Sequence, residues 1–507
     1  MSFASYKDFI QNGIERETLR VSGSGEASAK PHPLKLGHKL THPHITTDFS
    51  ENLLELITSV RASSTDLFAE LACIHGYTQK NIGDELLWPG SMPAILPKDD
   101  KIPLAYYGES NVGKLKTLYR MGLGNRYGRS MQTISGVHFN FSLSQEFWKN
   151  KFEQQNEFSD LTEFKNHSYF HLIRNFKRYS WLLVYLFGAS PLVDKSFLTG
   201  KNHKLTKFDD DTYINKNGIS LRMGGLGYTS SAQKAISVCF NQLKTYIQTI
   251  ESARLLSYPE YEKIGLVKNG EYQQLNTNLL QIDNEYYATV RPKNVAKSRE
   301  SALGALHHRG VEYIEVRLLD CNPFTPYGVT LNQIEFLNIF LCWCLEQDSP
   351  LLEQKECEIV EENLETVVTN GLTKGLKLKS GDGEVLLSDS LKKCFDELKQ
   401  FVANDEQKLK IIEKEEEKIL DSSKLPSQQL IDFCHTKKMS FVEASLELAK
   451  KYHEDYSCQP NMESFLNELI IHSADEAKMV EANDKLEFDD FLKKYFSDIK
   501  IDYGSLS

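Results

Sequence analysis

The sequence predicts an α+β chain, an antiparallel sheet flanked by helices and followed by a mainly helical carboxy-terminal region. Two observations carry this expectation. Within residues 1–345, four short segments alternate polar and apolar residues at the two-residue period of a strand buried on one face. From 346 to 507 the composition shifts to Glu- and Lys-rich stretches whose apolar residues fall three and four apart, the period of amphipathic helices. At 507 residues the length alone suggests about three domains. No repeat or low-complexity linker separates a tethered unit, so the expected division is a core over 1–345 and a helical region over 346–507 packed on it.

Taken in chain order, the first segment, GIERETLRV, places Glu15 and Glu17 on one face of a strand. Two such carboxylates repel unless a cation or water lies between them, and a solvated face is the ordinary reading of an isolated pair. The second, residues 45–58, embeds Glu55 in LLELIT, where a carboxylate is partly buried and therefore paired or bound to metal. A surface helix carrying Glu51 and Glu55 four residues apart competes with it. In the third, residues 135–142, Val137, Phe139 and Phe141 share one face and His138, Asn140 and Ser142 the other. In the fourth, residues 310–320, Ile314 and Val316 oppose Glu315 and Arg317. Together the four suggest a sheet with one apolar face against helices and one face carrying Glu15, Glu17, Glu55, His138, Glu315 and Arg317. Oxygen ligands with one imidazole suit magnesium or manganese rather than zinc or copper.

Two segments, 117–128 and 220–230, mix Gly, Arg and Tyr and read as loops in which backbone and guanidinium approach an anion. Neither continues into G-K-[ST] or opens a βαβ unit, which excludes a Walker A loop and leaves a dinucleotide site unsupported. Arg291 and Lys293 add cations beside Tyr286 and Tyr287. In the carboxy-terminal region, Leu409, Ile412, Glu416 and Ile419 show helical spacing, and Ser440 with Glu443 forms a capping box opening FVEASLELAKKY. The most apolar window, 181–187, is far short of the ~20 residues that span a bilayer and reads as a buried helix end. The net charge of -11 argues against nucleic-acid and anionic-membrane binding. The amino terminus has no apolar run of signal-peptide length. Nine scattered cysteines lack zinc-ribbon spacing and read as reduced, buried thiols of a cytosolic protein.

The motifs GIERETLRV, ITTDFSENLLELIT, TLYRMGLGNRYGRSMQTISGVHFNFS, RNFKRYSWLLVYLFGASP, SLRMGGLGYTS, NEYYATVRPK and EYIEVRLLDCNPF together resemble the proteobacterial type of glutamate–cysteine ligase, over about residues 10–345. The resemblance implies a glutamine-synthetase-like fold whose curved antiparallel sheet forms an active-site funnel. It also implies the first step of glutathione synthesis, in which ATP drives joining of the glutamate γ-carboxylate to the amine of cysteine. Carried over residue by residue, the metal ligands fall on Glu15, Glu17, Asp48, Glu55, His138 and Glu315. The cysteine pocket falls on Phe49, Tyr119, Leu123, Gln132, Arg222, Tyr228 and Tyr287, and Arg120 and Arg317 lie near the reacting groups. Magnesium, with manganese as the alternative, is the implied cofactor. Glutamate, cysteine and ATP are the implied small-molecule partners of a cytoplasmic monomer.

Overall fold

The computed structural model describes residues 2–498 apart from 228–231, 234–235, 298–299 and 455–457. All four segments become strands of one seven-stranded antiparallel sheet. Its strands are β1 (Ile10–Val21), β2 (Ile45–Thr47), β3 (Leu53–Ile57), β4 (Leu86–Leu87), β5 (Gly136–Leu143), β6 (Val290–Lys293) and β7 (Tyr313–Asp320). They lie in the order β6-β7-β5-β1-β3-β2, with β4 added at the end of β1. The second segment is a hairpin, not a helix. Its turn is closed by the Asp48 N–H donating to the Leu53 carbonyl at 3.0 Å, and Glu55 emerges mid-strand.

Alternation sorts the two faces as expected. Ile14, Val137, Phe139, Phe141, Ile314 and Val316 are buried together, and full burial of each such side chain stabilises by roughly 1.5–3 kcal/mol. Helices α1 (Ser64–Asn81), α2 (Asn111–Tyr127), α3 (Leu161–Phe187) and α4 (Leu331–Glu346) follow in chain order. Of these, α1 and α3 cover the apolar face, and α4 packs against both. The window 181–187 is the buried end of α3.

Residues 117–127, expected in a loop, instead form the greater part of α2. Their glycines serve close packing rather than turning. A Cβ on Gly122 would stand 2.0 Å from Gln281 Oε1, and one on Gly113 2.7 Å from the Tyr107 carbonyl. Ser110 Oγ accepts the Gly113 N–H to start the helix, and Gly128, at φ 83°, ends it. The second expected loop, 220–230, is irregular over its described residues.

The carboxy-terminal part is mainly helical and ends in α5 (Phe441–Glu454), α6 (Pro460–Ala482) and α7 (Phe488–Asp498), with one hairpin, Lys377–Ser380 on Gly383–Leu386. The capping box forms: Glu443 N–H donates to Ser440 Oγ at 3.3 Å, and Ser440 N–H to Glu443 Oε2 at 2.8 Å. Ile412 is buried as its spacing requires. Phe488, Phe491 and Leu492 of α7 pack on Leu115, Leu118 and Met121 of α2. One thiol pair departs from the reduced reading. Because α6 packs on α1, Cys73 and Cys458 fall in one cluster, where they are joined as a disulfide with Cα atoms 4.3 Å apart. Among the described residues no helix is long and apolar enough to cross a membrane.

Candidate active site

The sheet register assembles the polar face. Glu15 pairs with His138, Glu17 with Glu55, and Glu315 with Asn140, so neighbouring strands present these side chains in adjacent rows. A register shift between Val316 and Leu319 breaks the β7 ladder at Arg317, the kind of irregularity that re-aims a side chain. Glu15 Oε2 lies 3.1 Å from His138 Nδ1, and Glu15 Oε1 accepts from Asn140 Nδ2 at 2.9 Å. His138 Nε2 is 3.7 Å from Glu17 Oε1, while Glu17 Oε2 accepts the Gly136 N–H at 2.6 Å. Glu315 Oε2 stands 3.0 Å from Arg317 Nη1, 3.5 Å from Lys293 Nζ and 3.9 Å from Arg291 Nη1.

One ligand atom from each of Glu15, His138 and Glu315 lies within 4.8 Å of the others. Glu17, Asp48 and Glu55 form a second acidic group beside this trio, felt through their charges. The strain of crowding acids shows in their protonation. Burial, then the charges of Glu15, Asp48 and Glu17, pushes the Glu55 carboxyl well above the usual carboxylate range. Burial also raises Glu17, against the pull of His138. Burial works upward on Glu315 as well, but Lys293, Arg317, His138 and Arg291 outweigh it and hold that carboxyl well below the usual range. Burial and the Glu315 charge push Glu15 up, but the His138 hydrogen bond together with the charges of His138 and Lys293 brings it below its ordinary value. Buried acids that raise one another are what a hard divalent cation relieves, and oxygens with one imidazole fit magnesium or manganese.

Other elements hold the remaining expected residues. Arg120, on α2, donates from Nε to the Asp48 carbonyl and lies 4.5 Å over the Tyr107 ring. Tyr119 and Leu123, one helical turn apart on α2, pack with Phe49. Gln132 Nε2 donates to the Tyr287 hydroxyl at 2.9 Å. Arg222 is fully buried and donates from Nη2 to the Arg317 carbonyl at 2.8 Å. Its guanidinium fits only because position 136 is glycine: a Cβ there would meet Nη2 at 2.2 Å. Tyr228 lies outside the described residues.

The sequence names Asn140 and Lys293 without their roles at the site, and leaves out Lys116. Asn140 was placed on the polar face, but its bond to Glu15 depends on the register. Lys293 reaches Glu315 only through the β6–β7 pairing. Lys116 lies just before 117–128, which reads as a loop in the sequence, and stands one helical turn before Arg120. Burial, then the Arg120 charge, pulls its ammonium down to about 8.

A sheet face that groups carboxylates with one imidazole, able to hold a hard cation, and rims them with arginine and lysine suits chemistry on anionic oxygens. Fold and site therefore define a phosphoryl-handling enzyme. A family model described as glutamate–cysteine ligase matches residues 4–367. Among relatives, a glutamate–cysteine ligase of Hahella chejuensis is 44% identical, aligned over 96% of this chain and 95% of its own. One of Saccharophagus degradans is 43% identical, over 96% and 94%. A glutamate–cysteine ligase of Francisella tularensis, solved in complex with AMP, superimposes with TM-score 0.91 at 35% identity, covering 97% of this chain and 98% of that one. A bifunctional glutathione synthetase of Pasteurella multocida gives TM-score 0.69 at 26% identity, over 88% of this chain and 53% of that one. The chain belongs to the glutamate–cysteine ligase family.

Proposed function

We infer that this enzyme joins the γ-carboxylate of glutamate to the amine of cysteine at the expense of ATP, giving γ-glutamylcysteine, ADP and phosphate. The observation that carries the reading is the trio Glu15, His138 and Glu315 converging within 4.8 Å beside Arg317, in a chain of this family. A carboxylate oxygen leaves only after phosphorylation, so the first step moves the ATP γ-phosphoryl group onto the γ-carboxylate as a γ-glutamyl phosphate. The cysteine amine then attacks the acyl carbon, and phosphate departs with the C–O bond electrons.

Bringing two anions together is the main obstacle, and charge neutralisation meets it. Glu15, Glu17, Asp48, Glu55, His138 and Glu315 would hold magnesium, or manganese in its place; the bound ion neutralises phosphate charge and orients its oxygens. Arg317, re-aimed by the register shift in β7, and Arg120, fixed against Tyr107 and the Asp48 carbonyl, supply preorganised cations to the transferring group. Phe49, Tyr119 and Leu123 form an apolar wall for the cysteine thiol. Gln132, Arg222 and Tyr287, with Tyr228, supply its polar contacts.

In this reading residues 1–345 hold the chemistry and 346–507 buttress it, as α7 does against α2. The enzyme works as a monomer in the cytoplasm, where ATP and reduced cysteine are both supplied, with the Cys73–Cys458 disulfide an exception to the thiol state expected there. The test measures ADP release with ATP, magnesium and glutamate, adding cysteine, 2-aminobutyrate or glycine in turn. Release that depends on glutamate and is strongest with cysteine is expected. Preference for another amine would reassign the acceptor, and release without glutamate would refute ligation.

A further inference from the structure

We propose that Gln233 is a positioning residue for the acceptor amino acid, acting through Tyr287; the inference rests on the cysteine-ligase reading above. Among the described residues its side-chain amide meets three hydrogen-bond partners. Oε1 accepts the Tyr287 N–H at 2.8 Å, while Nε2 donates to the Glu285 carbonyl at 3.0 Å and to the Tyr127 hydroxyl at 3.2 Å. One oxygen facing a donor and one nitrogen facing two acceptors admit a single orientation of the amide. Gln233 is itself buried.

Behind it stands a hub that ties the same residues to α2. The Glu285 and Arg126 side chains are both fully buried and meet at 3.1 Å. Tyr127 donates its hydroxyl to Glu285 Oε1 at 2.7 Å, and the Gln281 N–H donates to Oε2 at 2.6 Å. Arg126 also donates to Gln274 Oε1 and the Asn276 carbonyl, and lies 4.2 Å over the Tyr261 ring. Gln281 in turn donates from Nε2 to the Tyr119 carbonyl at 3.3 Å. The network thus touches both Tyr119 and Tyr287, two residues of the acceptor pocket, and contacts neither the Glu15–His138–Glu315 trio nor Arg120 in any of these bonds.

Tyr287 is held at both ends: its N–H by Gln233 and its hydroxyl by Gln132, with the Tyr127 ring centroid 5.8 Å away. Loss of the Gln233 amide frees Tyr287 to shift without removing any group from the pocket. Acceptor binding then suffers while the phosphoryl-transfer face stays intact.

Steady-state kinetics of Gln233→Met, which keeps length but strands the Tyr287 N–H, test this in the intact enzyme. The KM for cysteine should rise about tenfold, the scale of one positioning hydrogen bond, while those for ATP and glutamate stay within about twofold. Combined with Tyr287→Ala, Gln233→Met should add nothing further to the cysteine KM, because its effect runs through that ring. Tyr127→Phe, which removes only one hydroxyl, should shift the cysteine KM in the same direction by less, and serves if Gln233→Met does not fold. An unchanged cysteine KM in a folded variant, an equal rise in all three KM values, or additivity with Tyr287→Ala overturns the proposal. Wild-type enzyme that releases no ADP on adding cysteine overturns instead the ligase reading on which it stands.

Discussion

Replacing Glu15 by Gln removes one negative charge from the centre of the sheet face while keeping the side chain's shape. The structure sets both halves of the outcome. A glutamine Oε1 can still accept from Asn140 Nδ2, and its amide can donate to a His138 nitrogen, so both contacts of the native carboxylate persist. Removing the charge also relieves the repulsion that Glu15 exerts on Glu55 and Glu315. The melting temperature should therefore stay within ~3 °C of wild type. Catalysis should fare otherwise, because on the proposed function Glu15 would be a metal ligand acting in the transition state. By analogy with a removed oxyanion donor the cost is about 3 kcal/mol. That corresponds to roughly a 150-fold fall in kcat at 1.36 kcal/mol per decade. Coupled ADP release at saturating ATP, glutamate and cysteine, beside a thermal melt of the same preparation, measures both. A folded Glu15→Gln protein with kcat within about threefold of wild type would refute the metal-site reasoning.

Three further outcomes follow from the same geometry. Glu55 and Glu17 hold protons above the usual carboxylate range, so the metal-free native state binds more protons than the unfolded chain. Its stability should fall as pH rises from about 5, by up to about 1.4 kcal/mol per pH unit per proton, and magnesium should offset the loss by replacing the proton. Glu15 and Glu315, held low, act in the opposite sense only below that range. Melts with EDTA and with magnesium across pH check this, and a magnesium effect that shrinks with rising pH counts against it. Gly136→Ala should push the Arg222 guanidinium aside and raise the cysteine KM about tenfold, with a smaller change for glutamate, read by initial rates. Arg120→Lys keeps the charge but cannot both stack on Tyr107 and hold the Asp48 carbonyl; kcat should drop about tenfold with an unchanged melting temperature.

What the sequence disclosed and what it hid divide along physical lines. β5 and β7 were legible because Val137, Phe139 and Phe141, like Ile314 and Val316, alternate cleanly with polar partners. The same alternation put Glu15, Glu17, His138 and Glu315 on one face, but it could not set the register that pairs Glu15 with His138. Cross-strand pairing joins residues more than a hundred positions apart and leaves no local signal. The α2 helix was hidden because Gly113, Gly122 and Gly124 depress helix propensity, whereas their actual role is to admit Tyr107, Gln281 and Arg129 at close range. That concealment also hid Lys116. Arg16, by contrast, alternates onto the apolar face and is fully buried there, giving Trp88 one weak bond at 3.4 Å. Nothing in the structure explains its choice over an apolar residue. Pairing of Cys73 with Cys458 rests on helix packing across 385 positions, which thiol spacing cannot foretell.

The most direct measurement is a product balance. Enzyme, magnesium, ATP and glutamate are incubated with and without cysteine, and ADP is quantified against γ-glutamyl peptide by mass spectrometry. Ligation at this sheet face predicts one γ-glutamylcysteine for each ADP, little ADP when cysteine is omitted, and none without glutamate or magnesium. ADP formed without peptide, or a peptide linked through the α-carboxylate, would contradict it.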